Sequence, residues 1–182
     1  FKLRSELSFN QTKLNHFGDW VENGNSIGKQ QLRAMEGKSS IINLGAQLEY
    51  FPFGSIHDFE NSIGNFSPYI SAGIQYNFFN SKSSSALGEL GTPEATFPKY
   101  LIPSDGHPHG FASESSSTWS IVSGIGARYR LNRMSDLLIE GRLQYFGSDW
   151  VDGLNPNKDI FTENKSNDWQ VGLTFGYVFY LE

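Results

Sequence analysis

The sequence predicts an all-β fold, an antiparallel transmembrane barrel of the outer-membrane type, forming one domain over residues 1–182. Three observations lead there. Residues 168–182 alternate strictly: Trp169, Val171, Leu173, Phe175, Tyr177, Phe179 and Leu181 share one face, and Gln170, Gly172, Thr174 and Gly176 share the other. A period of two marks a strand. An apolar face this long, rich in aromatic rings and backed by a polar face, reads as lipid outside and a polar lumen inside. Five earlier segments repeat the pattern for about 9 to 13 residues each. That suits a tilted spanning strand of about 9 to 11 residues better than the roughly 5 or 6 of soluble sheets. The third observation is that short and long connections alternate, as inner turns and outer loops do in such barrels.

In the first segment Phe1, Leu3, Leu7 and Phe9 oppose Lys2, Arg4, Glu6 and Ser8. In the second Ile42, Leu44, Ala46, Leu48 and Tyr50 oppose Asn43, Gly45, Gln47 and Glu49. The third sets Ile70, Ala72, Ile74, Tyr76 and Phe78 against Ser71, Gly73, Gln75 and Asn77. The fourth sets Trp119, Ile121, Ile125, Ala127 and Tyr129 against Ser120, Gly124, Gly126, Arg128 and Arg130. The fifth sets Leu137, Ile139, Leu143 and Tyr145 against Glu140, Arg142 and Gln144, and the terminal strand is the sixth. No amphipathic helix of useful length is expected, and Ser83–Ser85 and Ser115–Ser117 read as loop.

The connections from Asn15 to Lys38, Asn80 to Thr118 and Gly147 to Asn167 are long, whereas Phe53–Ser67 is intermediate and Leu131–Asp136 short. With the last strand ending in the periplasm, the long ones fall outside the cell. Single-chain bacterial barrels have even strand numbers from eight upward. Six visible strands therefore imply eight in the full-length protein, with the missing hairpin upstream of Phe1. An edge left open in lipid would strand backbone groups at several kcal/mol each.

Composition agrees and excludes alternatives. Hydrophobic residues are 38% of the chain and mean hydropathy is −0.40, with no apolar run long enough for a spanning helix. Aromatic residues reach 15% and glycines number 19, suiting interface girdles and crowded interior positions. There are no cysteines, so disulfides, thiolate catalysis and zinc–thiolate sites are excluded. A net charge of −5 disfavours nucleic acid.

The chemistry lies on the polar faces. Lys2, Arg4, Glu6, Glu49, Arg128, Arg130, Glu140 and Arg142 all fall on the side the alternation turns inward. An eight-stranded interior is just wide enough for side chains to fill, so charges there have to be paired or wet. The reading is a structural ion-pair network that plugs the lumen, with a proton or ion pathway and a catalytic carboxylate pair as weaker alternatives. Tyr50, Phe51, Tyr69, Phe78, Phe79, Trp119, Tyr129, Tyr145, Phe146, Trp169, Phe179 and Tyr180, near strand ends, fit two aromatic girdles. His107 and His109 beside Asp105 are a weak metal motif that a Gly/Pro loop explains equally well, and His16 and His57 read as isolated and solvated. No catalytic motif is present, so neither a cofactor nor a small-molecule substrate is expected.

The segments Asn43-Leu-Gly-Ala-Gln-Leu-Glu-Tyr-Phe-Pro-Phe-Gly54 and Phe66-Ser-Pro-Tyr-Ile-Ser-Ala-Gly-Ile-Gln-Tyr76 resemble the PorG family, outer-membrane β-barrel components of the type IX secretion system of Bacteroidetes. Gly124-Ile-Gly-Ala-Arg-Tyr-Arg-Leu131 and Leu138-Ile-Glu-Gly-Arg142 follow in the family's order, and the similarity covers most of residues 40–182. The resemblance implies a non-enzymatic outer-membrane component, held in membrane lipid, that anchors a periplasmic ring of a lipoprotein and its partner. On the topology above, the partner surface is the turn bearing Phe53, Ile56, His57, Asp58, Phe59 and Glu60. A passive barrel whose outer loops bind surface ligands, and a lipid-modifying enzyme, remain open as other readings.

Overall fold

The computed structural model describes residues 1–53 and 66–179. Six strands form one antiparallel meander: β1 (Lys2–Asn15), β2 (Met35–Tyr50), β3 (Phe66–Ser85), β4 (Ser115–Asn132), β5 (Ser135–Phe146) and β6 (Trp169–Phe179). Each strand bonds to its sequence neighbour, in registers such as Leu7↔Leu44, Leu44↔Tyr76, Ile74↔Ile121 and Leu143↔Val171. The sheet curls into a half-barrel. Its convex face is apolar and exposed, and its concave face is polar. β1 and β6 are its two edges, and no ladder joins them among the described residues. Their inward residues are accordingly only half-buried, whereas those of β2 to β5 are mostly buried.

Each segment read from the alternation is a strand, but the strands outrun it. β2 starts at Met35 and β3 runs on to Ser85, where Met35 and Ser85 pair. Ser83–Ser85 and Ser115–Ser117 lie in β3 and β4, not in loops. Past the apolar belt both faces are polar, so the periodicity fades while the backbone ladder, which is indifferent to side chains, continues. The stretch after β1 also holds two helices, α1 (Asp19–Glu22) and α2 (Ile27–Ala34), where no useful helix was expected. α2 buries Gln31 and Leu32, and the Gln31 amide donates to the Pro93 carbonyl at 2.6 Å.

All the long connections meet at one end of the sheet and pack into a cap. Val21, Leu32, Met35, Tyr100 and Leu154 form its core, with Leu90, Phe97 and Phe111 against them. A short ladder ties two loops together, with Ala112 N donating to Gly153 O at 2.9 Å and Asn155 N to Gly110 O at 2.9 Å. At the opposite end β4 and β5 are joined by Arg133 and Met134 alone, the Met134 amide donating to Asn132 Oδ1 at 2.9 Å.

Candidate functional site

The concave face is layered from end to end. At the short-turn end Phe51, Tyr69 and Leu138 pack together with Val178 and close the interior. Above them lies a charged layer, then a layer of amides, and beneath the cap an apolar seal of Ile41, Phe79, Phe146, Trp150 and Val151. Of the aromatic residues read as girdles, Tyr50, Phe78, Trp119, Tyr129, Tyr145, Trp169 and Phe179 are exposed on the convex side. Phe51, Tyr69, Phe79 and Phe146 are buried instead, because they fall on inward positions. Tyr180 lies outside the described residues.

The charged layer is continuous across the curl. Arg142 grips Glu6 with both guanidinium arms, at 2.6 and 2.7 Å. Gln47 bridges onward, donating to Glu6 Oε2 at 2.8 Å and accepting from Arg4 Nη2 at 2.8 Å. Arg4 reaches from β1 to Glu140 on β5, donating to both carboxylate oxygens at 2.9 Å, and lies 3.2 Å from Glu49. Arg128 holds Glu49 from β4 at 2.7 and 2.9 Å. Tyr69 donates its hydroxyl to Glu140 at 2.7 Å. Glu49 and Glu140 are 0% and 1% exposed, so these bonds stand in for the solvation each carboxylate loses.

Two glycines create the room. A Cβ at Gly124 would stand 2.6 Å from Ser71 Oγ and 3.0 Å from Glu140 Cδ, and one at Gly126 would stand 2.8 Å from the Tyr69 hydroxyl. The Gly124-x-Gly126 spacing thus clears one face of β4 for the Tyr69–Glu140 pair.

Six of the eight inward charges read from sequence join this layer: Arg4, Glu6, Glu49, Arg128, Glu140 and Arg142. Lys2 and Arg130 sit nearer the short-turn end, the Lys2 ammonium 5.3 Å from the centre of the Phe51 ring and Arg130 Nε donating to Asn132 O at 3.3 Å. Asp136 was missed. It is fully buried and directly opposite Arg130 in the β4–β5 register, but it precedes a Leu-Leu-Ile run that hides the alternation. The amide layer was missed as a unit: Gln144 Nε2 donates to Asn43 Oδ1, Asn77 Oδ1 and Ser120 Oγ at 3.0 to 3.2 Å. Val122 is fully buried on the inward face, although it is apolar.

Of the proposed partner turn, Phe53 is exposed at the short-turn end, while Ile56, His57, Asp58, Phe59 and Glu60 lie outside the described residues.

The cap carries a second polar cluster. Asp168 Oδ2 accepts from the amides of Val151 at 2.8 Å and Asp152 at 3.3 Å, and Asp149 accepts from Asn164 at 3.1 Å. Burial, reinforced by Asp168 and Asp105, pushes the Asp149 carboxyl up to about 7. Asp168 and Asp152 are also raised, by burial first and by neighbouring carboxylates second. Asp105 is lowered, chiefly by the Asn155 amide that donates to it.

His107 and His109 diverge: His107 Nε2 lies 3.2 Å from Glu114 with its ring over Trp150, and His109 stacks on Phe111. His16 is not isolated; its Nε2 is 3.2 Å from the Tyr100 hydroxyl, and burial beside Lys99 depresses its basicity. Ser104 pairs with His107 across the Asp105-Gly106 turn, which superficially assembles serine, histidine and acid. The Ser104 hydroxyl is buried and makes no hydrogen bond to the ring, so the relay a nucleophile needs is broken at its first link. Among the described residues no group of three or more acids and histidines is placed to hold a metal ion. No family model, curated protein or solved structure matches the chain.

Proposed function

We propose that the chain forms an outer-membrane β-barrel, eight-stranded in the full-length protein, that serves as a non-enzymatic anchor for partner proteins. The observation that carries this reading is the division of the sheet into two chemistries. Outward positions of all six strands present Leu, Ile, Val, Phe, Tyr or Trp to the surroundings, as Leu44, Ile74, Ile121, Leu143 and Leu173 do at mid-strand. A soluble protein exposes apolar patches of a few hundred Å² at most, whereas a lipid-facing wall is apolar throughout.

An anchor fits better than a conduit because the interior is filled by side chains from one end to the other. The motif resemblance directs the partner choice to the periplasmic ring of a type IX secretion system, docked on the turn that begins at Phe53. The protein purified from outer membranes in mild detergent then brings a ring lipoprotein with it. Charge reversal at Asp58 and Glu60 releases that lipoprotein and leaves the barrel folded. Recovery of a clean monomer, or normal co-purification after the reversal, contradicts the anchor reading.

A further inference from the structure

The convex face gathers its basic residues in one place. Lys2 and the arginines of the strands turn inward, whereas Lys13, Lys38 and Lys82 turn outward. These three form a single row near the cap. Lys13 stands directly opposite Lys38 across the β1–β2 ladder, and Lys38 directly opposite Lys82 across the β2–β3 ladder. Like charges that face each other across a strand pair are destabilising. Glu36, one outward step further along β2, offsets part of this, its carboxylate lying 2.9 Å from the Lys13 ammonium and 3.9 Å from that of Lys38. Three ammonium groups against one carboxylate leave the row positively charged. The feature is one-sided: at the short-turn end the outward residues Leu48, Tyr50 and Ile70 of the same sheet carry no charge.

Toward mid-strand the surface changes chemistry in a fixed order. The next outward row is Gln11, Ser40, Asn80 and Ser115, each in register with its neighbour. The row after that begins Phe9, Ile42 and Phe78, all exposed. These three line an open groove of about 510 Å³ with Ser40, Asn80 and Ser115. From the cap downward the face thus offers cations, then hydroxyl and amide groups, then an apolar groove. An amphiphile built of phosphate, sugar and hydrocarbon presents the same order. Adjacent strands lie about 4.8 Å apart, so the lysine row spans about 10 Å and the polar row beneath it about 14 Å. That width suits a sugar headgroup with its phosphates better than a single phosphodiester.

On the barrel reading, on which this inference rests, the cap lies outside the cell and the lysine row meets the outer leaflet. We propose that Lys13, Lys38 and Lys82 bind the phosphate of a phosphorylated, acylated sugar, the glycolipid of that leaflet. Its hydroxyl and amide groups bond to Gln11, Ser40, Asn80 and Ser115, and an acyl chain lies in the groove between Ile42 and Phe78. Lysine suits this task, because a point charge on a flexible stem follows a phosphate that has no fixed orientation. The bound anion relieves the repulsion along the row, so the same lysines destabilise the bare protein and stabilise the complex.

The test titrates the full-length protein, purified in mild detergent, with bisphosphoryl lipid A and counts bound lipid by native mass spectrometry. The unaltered protein is expected to bind at least about tenfold more tightly than a triple variant carrying Lys13→Gln, Lys38→Gln and Lys82→Gln. Replacing the same three lysines by arginine keeps the binding, and dephosphorylated lipid A binds the unaltered protein as weakly as lipid A binds the glutamine variant. In lipid-free detergent the glutamine variant unfolds at no lower a temperature than the unaltered protein. Should the triple variant fail to fold, Lys38→Gln alone, the middle of the row, is expected to weaken binding by a smaller factor. Equal binding by unaltered and glutamine proteins overturns the site. Phosphatidylglycerol bound as tightly as lipid A, or release of lipid A by an equal concentration of inorganic phosphate, overturns the glycolipid as its occupant. Failure of the barrel reading looks different: the protein is then absent from the outer-membrane fraction and shows no heat-modifiable migration.

Discussion

At the scale of single residues, the interior stands on pairs that only work together. Glu140 holds the Arg4 guanidinium and the Tyr69 hydroxyl at once. Glu140→Leu leaves both without that acceptor, and breaking a buried pair from one side costs about 3–5 kcal/mol. The expected outcome is a lower unfolding midpoint, read by the temperature at which the folded band disappears in detergent gels. Combining Glu140→Leu with Arg4→Met removes both charges together and is expected to cost less than Glu140→Leu alone. A double variant as unstable as the sum of the single ones contradicts the pairing. Gly124→Ala tests the space behind the same carboxylate. Its methyl group collides with Ser71 and Glu140, and overpacking of this kind costs about 1–3 kcal/mol.

At the scale of elements, the cap responds to pH. Asp149 and Asp168 are pushed up from the ordinary 3.8 to about 7, by burial first and by neighbouring carboxylates second. The packed cap therefore binds protons that an opened loop releases. Its stability is fully present in acid and declines as pH rises from about 4 through about 7. Protease cleavage within residues 147–168 is expected to be slower at pH 5 than at pH 8, and Asp149→Asn flattens that difference. Equal cleavage at both pH values in the unaltered protein contradicts it. How far the elements could be read from sequence follows from the same physics. Strand centres announce themselves because one face is apolar and the other is not. Strand ends such as Ser83–Ser85 carry no such contrast, and Leu138, Val122 and Phe51 turn inward although they are apolar, which breaks the alternation where the interior is sealed. The cap cluster was illegible because Asp105 comes from the β3–β4 connection and Asp149, Asp152 and Asp168 from the two ends of the β5–β6 connection, which only the fold brings together.

At the scale of the whole molecule, the layers stack as an apolar plug, a charged belt, an amide belt, an apolar seal and a cap. A filled eight-stranded interior conducts neither protein nor a steady stream of ions. Planar bilayers holding the full-length protein are expected to show no porin-like conductance, and stable open channels contradict the filled interior. The central claim is that the convex face lies in lipid while the concave face does not. The chain has no cysteines, so a single spin label can be placed at each position from Val171 to Gly176 in turn. The most direct test is the oxygen and water accessibility of those labels in reconstituted full-length protein. The account predicts oxygen access at Val171, Leu173 and Phe175 and little at Gly172, Thr174 and Gly176. High water access at the odd-numbered positions, or no alternation at all, contradicts it.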